Sequence, residues 1–172
     1  VSDDDHSAST NGGASRVSES SRQRVAEILR QDVWSQDTTI VQAALEHLAR
    51  EAAVGPQNRS SITRFGGLLA ILRAMEVNLN HDRIQMAACT ALEKLALDAD
   101  TQVAIGEVGG ISAVVGAMRT HVDNDGVQQA GCAALVNISR HHGTENDDHL
   151  EIPADGAIQA LCTSMMRHAD NV

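Results

Sequence analysis

Three histidines and four carboxylates crowd one segment of this 172-residue chain: His141, His142 and His149 lie among Glu145, Asp147, Asp148 and Glu151. Imidazole and carboxylate are ligand types that suit zinc, so a metal site is the first chemistry to weigh. Their spacing matches no zinc motif, and the segment HHGTENDD reads as a solvated insertion loop. Asp123, Asn124, Asp125 and Gly126 resemble the opening of a calcium-binding loop, but the later bidentate Glu is missing. They stand in a polar turn, where Asp125 is expected to cap the following helix. Cys89, Cys132 and Cys162 are three in number, an odd count with no Cys-x-x-Cys pairing, so no zinc site or disulfide framework is expected. Inside Ala-rich stretches they fit small buried side chains in a reducing compartment, cytoplasmic or nuclear. No serine stands in a nucleophile elbow or beside a periodic His and Asp. The Gly-Gly pairs at 66–67 and 109–110 follow no strand and precede no Gly-Lys-Ser/Thr, so they read as helix breakers that permit close packing, not as a phosphate cradle. The expectation is a non-enzyme with no cofactor and no metal.

Composition restricts the rest. The hydrophobic fraction is 42%, yet there is one Trp, one Phe and no Tyr, so the core must be built from Ala, Leu, Ile, Val and Met, as in tightly packed helices. Proline occurs only at positions 56 and 153, which leaves long stretches open to helix. A formal net charge of −10 argues against binding nucleic acid through its phosphates and favours partners that are basic or neutral. No apolar run approaches the roughly 18 residues of a membrane helix, so no membrane association is expected. No signal peptide or lipidation motif is visible. The sequence begins without Met and stops abruptly, which suggests a fragment; either more repeats follow or this end packs on another chain.

The elements that would position any site repeat along the chain. GGLLAILRAM at 66–75 returns as GGISAVVGAM at 109–118, 43 residues later, and as DGAIQALCTSM at 155–165 after a further 47. TALEKLA at 90–96 returns as AALVNIS at 133–139, and AALEHLA at 43–49 precedes it by 47. A period near 43 residues is the signature of stacked helical repeats. Residues 1–17 are Asp, Ser, Gly and Asn with almost nothing to bury and are expected to be a disordered tail. The repeat domain then spans 18–172, with a partial unit at 18–55, full units at 56–98 and 99–143, and a truncated unit at 144–172.

In the partial unit, SESSRQRVAEILR opens with a capping-box-like start, and a second helix runs from about Gln36 to Ala52 with Val41, Ala44, Leu45 and Leu48 on one face. Each full unit reads as a short helix, a Gly-Gly break, a second helix, a polar turn and a long third helix. Apolar stripes are expected from Leu68, Ile71, Leu72 and Met75, then Ile84, Ala88, Ala91, Leu92 and Leu95. The next unit copies them as Ile111, Val114, Val115 and Met118, then Val127, Gly131, Ala134, Leu135 and Ile138. In the last unit Ile158, Leu161, Cys162 and Met165 should form a stripe without its covering third helix. Trp34 and Phe65 are expected to plug the N-terminal end of the stack, with a partner contact as the alternative for the Trp.

This plan resembles the armadillo repeat, on the strength of Gly109, Gly110, Ile111, Met118, Val127, Gln128, Ala134, Leu135, Asn137 and Ile138 and their counterparts one unit earlier. The resemblance covers about residues 19–170. It implies an all-α fold, a right-handed α-solenoid (armadillo-like superhelix) of three-helix repeats, with third helices lining a concave groove. In peptide-binding members of that family a Trp and an Asn on each third helix grip an extended peptide. Here the Asn position reads His47, Lys94 and Asn137, and the Trp position Ala43, Thr90 and Ala133, so the aromatic shelves are missing. The groove the resemblance implies is carried by His47, Arg50, Met86, Thr90, Lys94, Gln129, Ala133, Asn137 and Arg140. The function it implies is a non-catalytic interaction module or scaffold that binds a protein surface or extended segment. The alternatives are an architectural segment of a longer solenoid, a chaperone-associated regulator, or a metal-binding enzyme or sensor built on the His loop. Self-association through the uncovered C-terminal end is a further expectation.

Overall fold

The computed structural model describes residues 19–141 and 154–167. Every regular element among them is helical. After α1 (Glu19–Arg30) and a 3-10 turn (Asp32–Trp34) come α2 (Thr38–Val54), α3 (Pro56–Arg64), α4 (Gly67–Val77) and α5 (Asp82–Leu95). Then follow α6 (Ala99–Glu107), α7 (Gly110–Thr120), α8 (Asp125–Ile138), a 3-10 turn (Ser139–His141) and α9 (Ala154–Arg167). Helices α3, α4 and α5 have 9, 11 and 14 residues, and α6, α7 and α8 have the same three lengths in the same order. No single helix among the described residues is long and apolar enough to cross a membrane.

The long helices carry the packing: α5 lies against α2 on one side and α8 on the other. The apolar stripes explain why. Val41, Ala44, Leu45 and Leu48 of α2, Ile84, Ala88, Ala91, Leu92 and Leu95 of α5, and Val127, Ala134, Leu135 and Ile138 of α8 all enter one core. Ala at so many positions lets the helix backbones approach closely, and large aliphatics fill the space between them. Burial of an aliphatic side chain contributes about 1.5–3 kcal/mol before chain entropy is deducted. Hydrogen bonds repeat with the period as well. Gln85, fully buried, donates from Nε2 to the Met75 and Asn78 carbonyls at 2.8 and 2.9 Å. Gln128 does the same to Met118 and His121 at 2.7 and 3.0 Å, so each Gln satisfies carbonyls at the end of the preceding helix.

The glycine pairs set the corner between short and second helices. Gly66 and Gly109 have φ of 82° and 84°, the left-handed region in which a side chain is strained. Gly110 begins α7 so close to α6 that a Cβ there would lie 2.4 Å from Ile105 Cγ2 and 2.9 Å from its carbonyl oxygen. Gly67 meets Ile62 in the same way. Gly110→Ala should therefore destabilise the chain by about 1–3 kcal/mol through overpacking against backbone. Gly109→Ala should cost about 1–2 kcal/mol from the left-handed conformation. Chemical denaturation of both variants checks the two values.

Several expectations are corrected. Helix α2 begins at Thr38, because the Asp37 side chain accepts from Thr39 N at 2.8 Å and caps it, and it ends at Val54, before Gly55 and Pro56. The same hydrogen bond holds the Asp37 carboxyl below the usual carboxylate range. Trp34 and Phe65 are not plugs. They are 55% and 53% exposed, and the Trp34 indole N–H is held by the Leu29 carbonyl at 2.9 Å. Of the cysteines only Cys89 is buried, where desolvation pushes its thiol up to about 12. Cys132 is half-buried and Cys162 exposed.

The last helix departs furthest. Its counterpart of the glycine pair reads Gly156-Ala157, and α9 runs through it unbroken from Ala154. The close approach made by Gly110 needs a residue without Cβ, and this sequence lacks one there. Cys162 and Met165 lie outward, whereas Ser164 is buried, 3.9 Å from Cys132 Sγ. The expected disordered tail at 1–17, the capping-box start at Ser18 and the loop residues 142–153 lie outside the described residues.

Candidate partner-binding face

Among the described residues no group of three or more His, Cys, Asp and Glu is placed to hold a metal ion. The turn before α8 is engaged otherwise. Asn124 is the helix cap: its Oδ1 accepts from Val127 N at 3.0 Å. That corrects the expectation for Asp125, which is the first residue of α8. The cap must lie where its side chain can reach back to the first turn, and Asn124 holds that extended position (φ −99°, ψ 104°). Asn124 Nδ2 also donates to Asp82 Oδ2 at 2.9 Å, and Asp123 is ion-paired with Arg167.

The expected groove residues share the unburied face of α2, α5 and α8, with Arg140 in the 3-10 turn beyond α8. Arg50, Gln129 and Arg140 are exposed, and His47, Met86, Thr90, Lys94, Ala133 and Asn137 are half-buried. Four of them come together. Arg50, Met86, Thr90 and Lys94 line a hollow of about 330 Å³ between α2 and α5, with Glu46, Ala49, Ala53 and Ala87. The sequence pattern does not distinguish Ala49, Ala53 and Ala87 from other alanines. Their only signal is a run of small residues where two helices face each other. A larger hollow, about 790 Å³, lies between α3 and α6, lined largely by polar residues such as Gln57, Ser60, Thr63 and Asp100.

Polar contacts fix this face. Asn137 Nδ2 donates to the Glu93 carbonyl at 3.1 Å, so it ties α8 to the C-terminal turn of α5. Thr90 Oγ1 donates to the Met86 carbonyl at 2.9 Å. Lys94 Nζ lies 2.7 Å from Glu93 Oε1. Met86 reaches toward α8: a Cβ on Gly126 would come within 2.7 Å of its Sδ.

His47 on this face has its pKa lowered from the ordinary value. Its Nε2 is buried without a hydrogen-bond partner, and Glu51 Oε1 at 3.6 Å is just beyond reach. Burial holds its pKa below the ordinary 6.5; Glu51 opposes this, and Arg50 and Arg24 reinforce it. The folded chain therefore binds this proton less readily than the unfolded chain. Stability from the neutral ring is present above 6.5 and is lost as pH falls toward the depressed folded value. Between neutral pH and about pH 5 the melting temperature of His47→Gln should fall less than that of the parent. Equal declines would remove His47 as a source of acid sensitivity.

Comparison of the chain with protein-family models, with curated proteins and with solved structures finds no match.

Proposed function

We propose that this chain is a non-catalytic protein-interaction module, an armadillo-type right-handed α-solenoid that binds its partner along the face of α2, α5 and α8. The observation that carries the reading is the disposition of those helices. They stand side by side, bury their aliphatic stripes in one core, and carry eight of the nine expected contact residues outside that core, with Arg140 exposed in the turn beyond α8. The repeated helix lengths, the left-handed glycines and the Gln85 and Gln128 bonds support the repeat architecture. Such a face offers half-buried apolar atoms beside charged groups, the mixture found at protein interfaces.

The test is affinity capture with captured proteins identified by mass spectrometry. The parent is compared with Arg50→Glu/Lys94→Glu/Arg140→Glu and with Arg64→Glu/Arg73→Glu/Arg119→Glu, which reverses exposed cations elsewhere. Loss of the same proteins in the first variant alone supports the reading. Equal retention in all three would place binding on another surface. A second reading, docking of a further helical layer or a second copy on α9, is favoured by Met165 and Met166, which are 72% and 77% exposed. Sedimentation of the parent against Met165→Lys/Met166→Lys tests it, and an unchanged monomer in both would dismiss self-association.

A further inference from the structure

We infer that α8 pairs with α8 of a second copy of the chain, antiparallel across a two-fold axis, so that Arg140 of each copy stands opposite Asp125 of the other. This goes beyond the partner-binding reading: it assigns Gln129 and Arg140 to self-association and leaves the expected contacts on α2 and α5 open to a different protein.

Asp125, Gln129, Cys132 and Val136 recur at spacings of 4, 3 and 4, so they fall within about 60° of the helix circumference. Arg140 follows four residues later, in the 3-10 turn. The stripe lies opposite the core-facing Val127, Ala134 and Ile138. One period earlier the same positions are closed by α8. Cys89 is 0% exposed, Glu93 is half-buried, and the Glu93 carbonyl accepts from Asn137. On α8 itself they are open: Cys132 is half-buried beside Ser164 of α9, and Val136 is 51% exposed. A strip that takes a helix alongside on α5 therefore stands bare at its Val136 end on α8.

The order of charges says which helix fits it. Asp125 is the first residue of α8 and Arg140 lies just past the last; both are exposed, and Gln129, Cys132 and Val136 between them are neutral. Such a stripe is its own complement when reversed. The two-fold axis falls between Cys132 and Ala133, Gln129 faces Val136, and acid faces base at both ends. A parallel pair would set acid on acid and base on base. The α5 stripe lacks this order, with acids at Asp82 and Glu93 and Leu97 at its end. Cys132 and Ala133 are short, which lets the two backbones approach to the roughly 8–10 Å of packed helices. The net charge of −10 opposes association, but it is screened beyond about 8 Å at physiological salt, so contacts within the pair decide. One helix pair covers less than the roughly 1,600 Å² of a standard interface, so the dimer is weak and reversible.

Sedimentation equilibrium of the purified chain should show a dimer with a dissociation constant on the order of 10–100 μM. Melting curves first establish that every variant is folded. Val136→Lys should weaken the dimer about tenfold, and so should Arg140→Glu or Asp125→Arg alone, since each puts like charges face to face at both ends. An equal mixture of Arg140→Glu and Asp125→Arg should regain a dimer within about threefold of the parent, because both acids of one then meet both bases of the other. A parent that stays monomeric to about 1 mM, or a dimer that Val136→Lys leaves intact, would overturn the inference. Failure of the mixture to dimerise would overturn the antiparallel pairing, and loss of the dimer only in Met165→Lys/Met166→Lys would move self-association to α9. Each result is obtained without any other protein, so the capture experiment still decides separately whether the α2–α5–α8 face binds a partner.

Discussion

Leu92→Ala should lower the unfolding free energy by about 2–5 kcal/mol, a large share of what a domain of this kind possesses. Leu92 is 0% exposed, in the helix that packs against both α2 and α8. Truncation removes the transfer free energy of its side chain and leaves a cavity. Rigid helices on both sides prevent the cavity from closing. The equivalent leucine one period later, Leu135, is 6% exposed, and α8 is covered by α5 on one side and by the partly docked α9 on the other. Its truncation should therefore cost less than that of Leu92, within the same range. Urea denaturation followed by circular dichroism measures both. A Leu92 loss below about 1 kcal/mol, or a larger loss at Leu135, would contradict the place given to α5 as the middle layer.

The second large effect is expected at a buried ion pair. Arg59 of α3 is 8% exposed, and it grips Asp98 with Nε at 2.5 Å and Nη2 at 2.8 Å, while Nη1 donates to the Ala52 carbonyl at 2.9 Å. One guanidinium thus joins the end of α2, the helix α3 and the residue that precedes α6. Asp98 stands at the cap position of α6, yet its carboxylate makes no cap hydrogen bond because it is turned onto Arg59. Asp98→Ala should cost about 3 kcal/mol, since it strands a buried cation. The Asp98 side chain is 30% exposed, which keeps the effect toward the lower end for such pairs. The double variant Arg59→Met/Asp98→Ala should recover part of the loss, because no charge is left unpaired. A double variant no more stable than Asp98→Ala alone would mean that the Ala52 hydrogen bond, not the ion pair, is what matters there.

Arg59 also shows how a repeat position can change chemistry. Its counterpart 43 residues later is Gln102, also buried, which donates from Nε2 to the Ala96 carbonyl at 2.8 Å. Both side chains satisfy a carbonyl at the end of the preceding long helix. Only the Arg adds a charge and therefore requires Asp98.

The sequence by itself determined the helices and their buried sides. Apolar residues at helical spacing can be removed from water together only on one side of a helix, so the α2, α5 and α8 stripes were legible from Val41, Ile84 and Val127 onward. The Gly pairs were legible because few other residues accept φ near 82–84°. What only the tertiary structure decided depends on distances between helices. The Arg59–Asp98 pair joins residues 39 apart whose types normally face solvent. Asn124 rather than Asp125 caps α8, and Ser164 rather than Met165 turns inward on α9, because one residue rotates a helix by about 100°. The hollow beside Arg50 exists only because Ala49, Ala53 and Ala87 come from two helices that lie next to each other. A short side chain leaves space only where a neighbouring backbone is held at a fixed distance, and spacing along one helix carries no such distance.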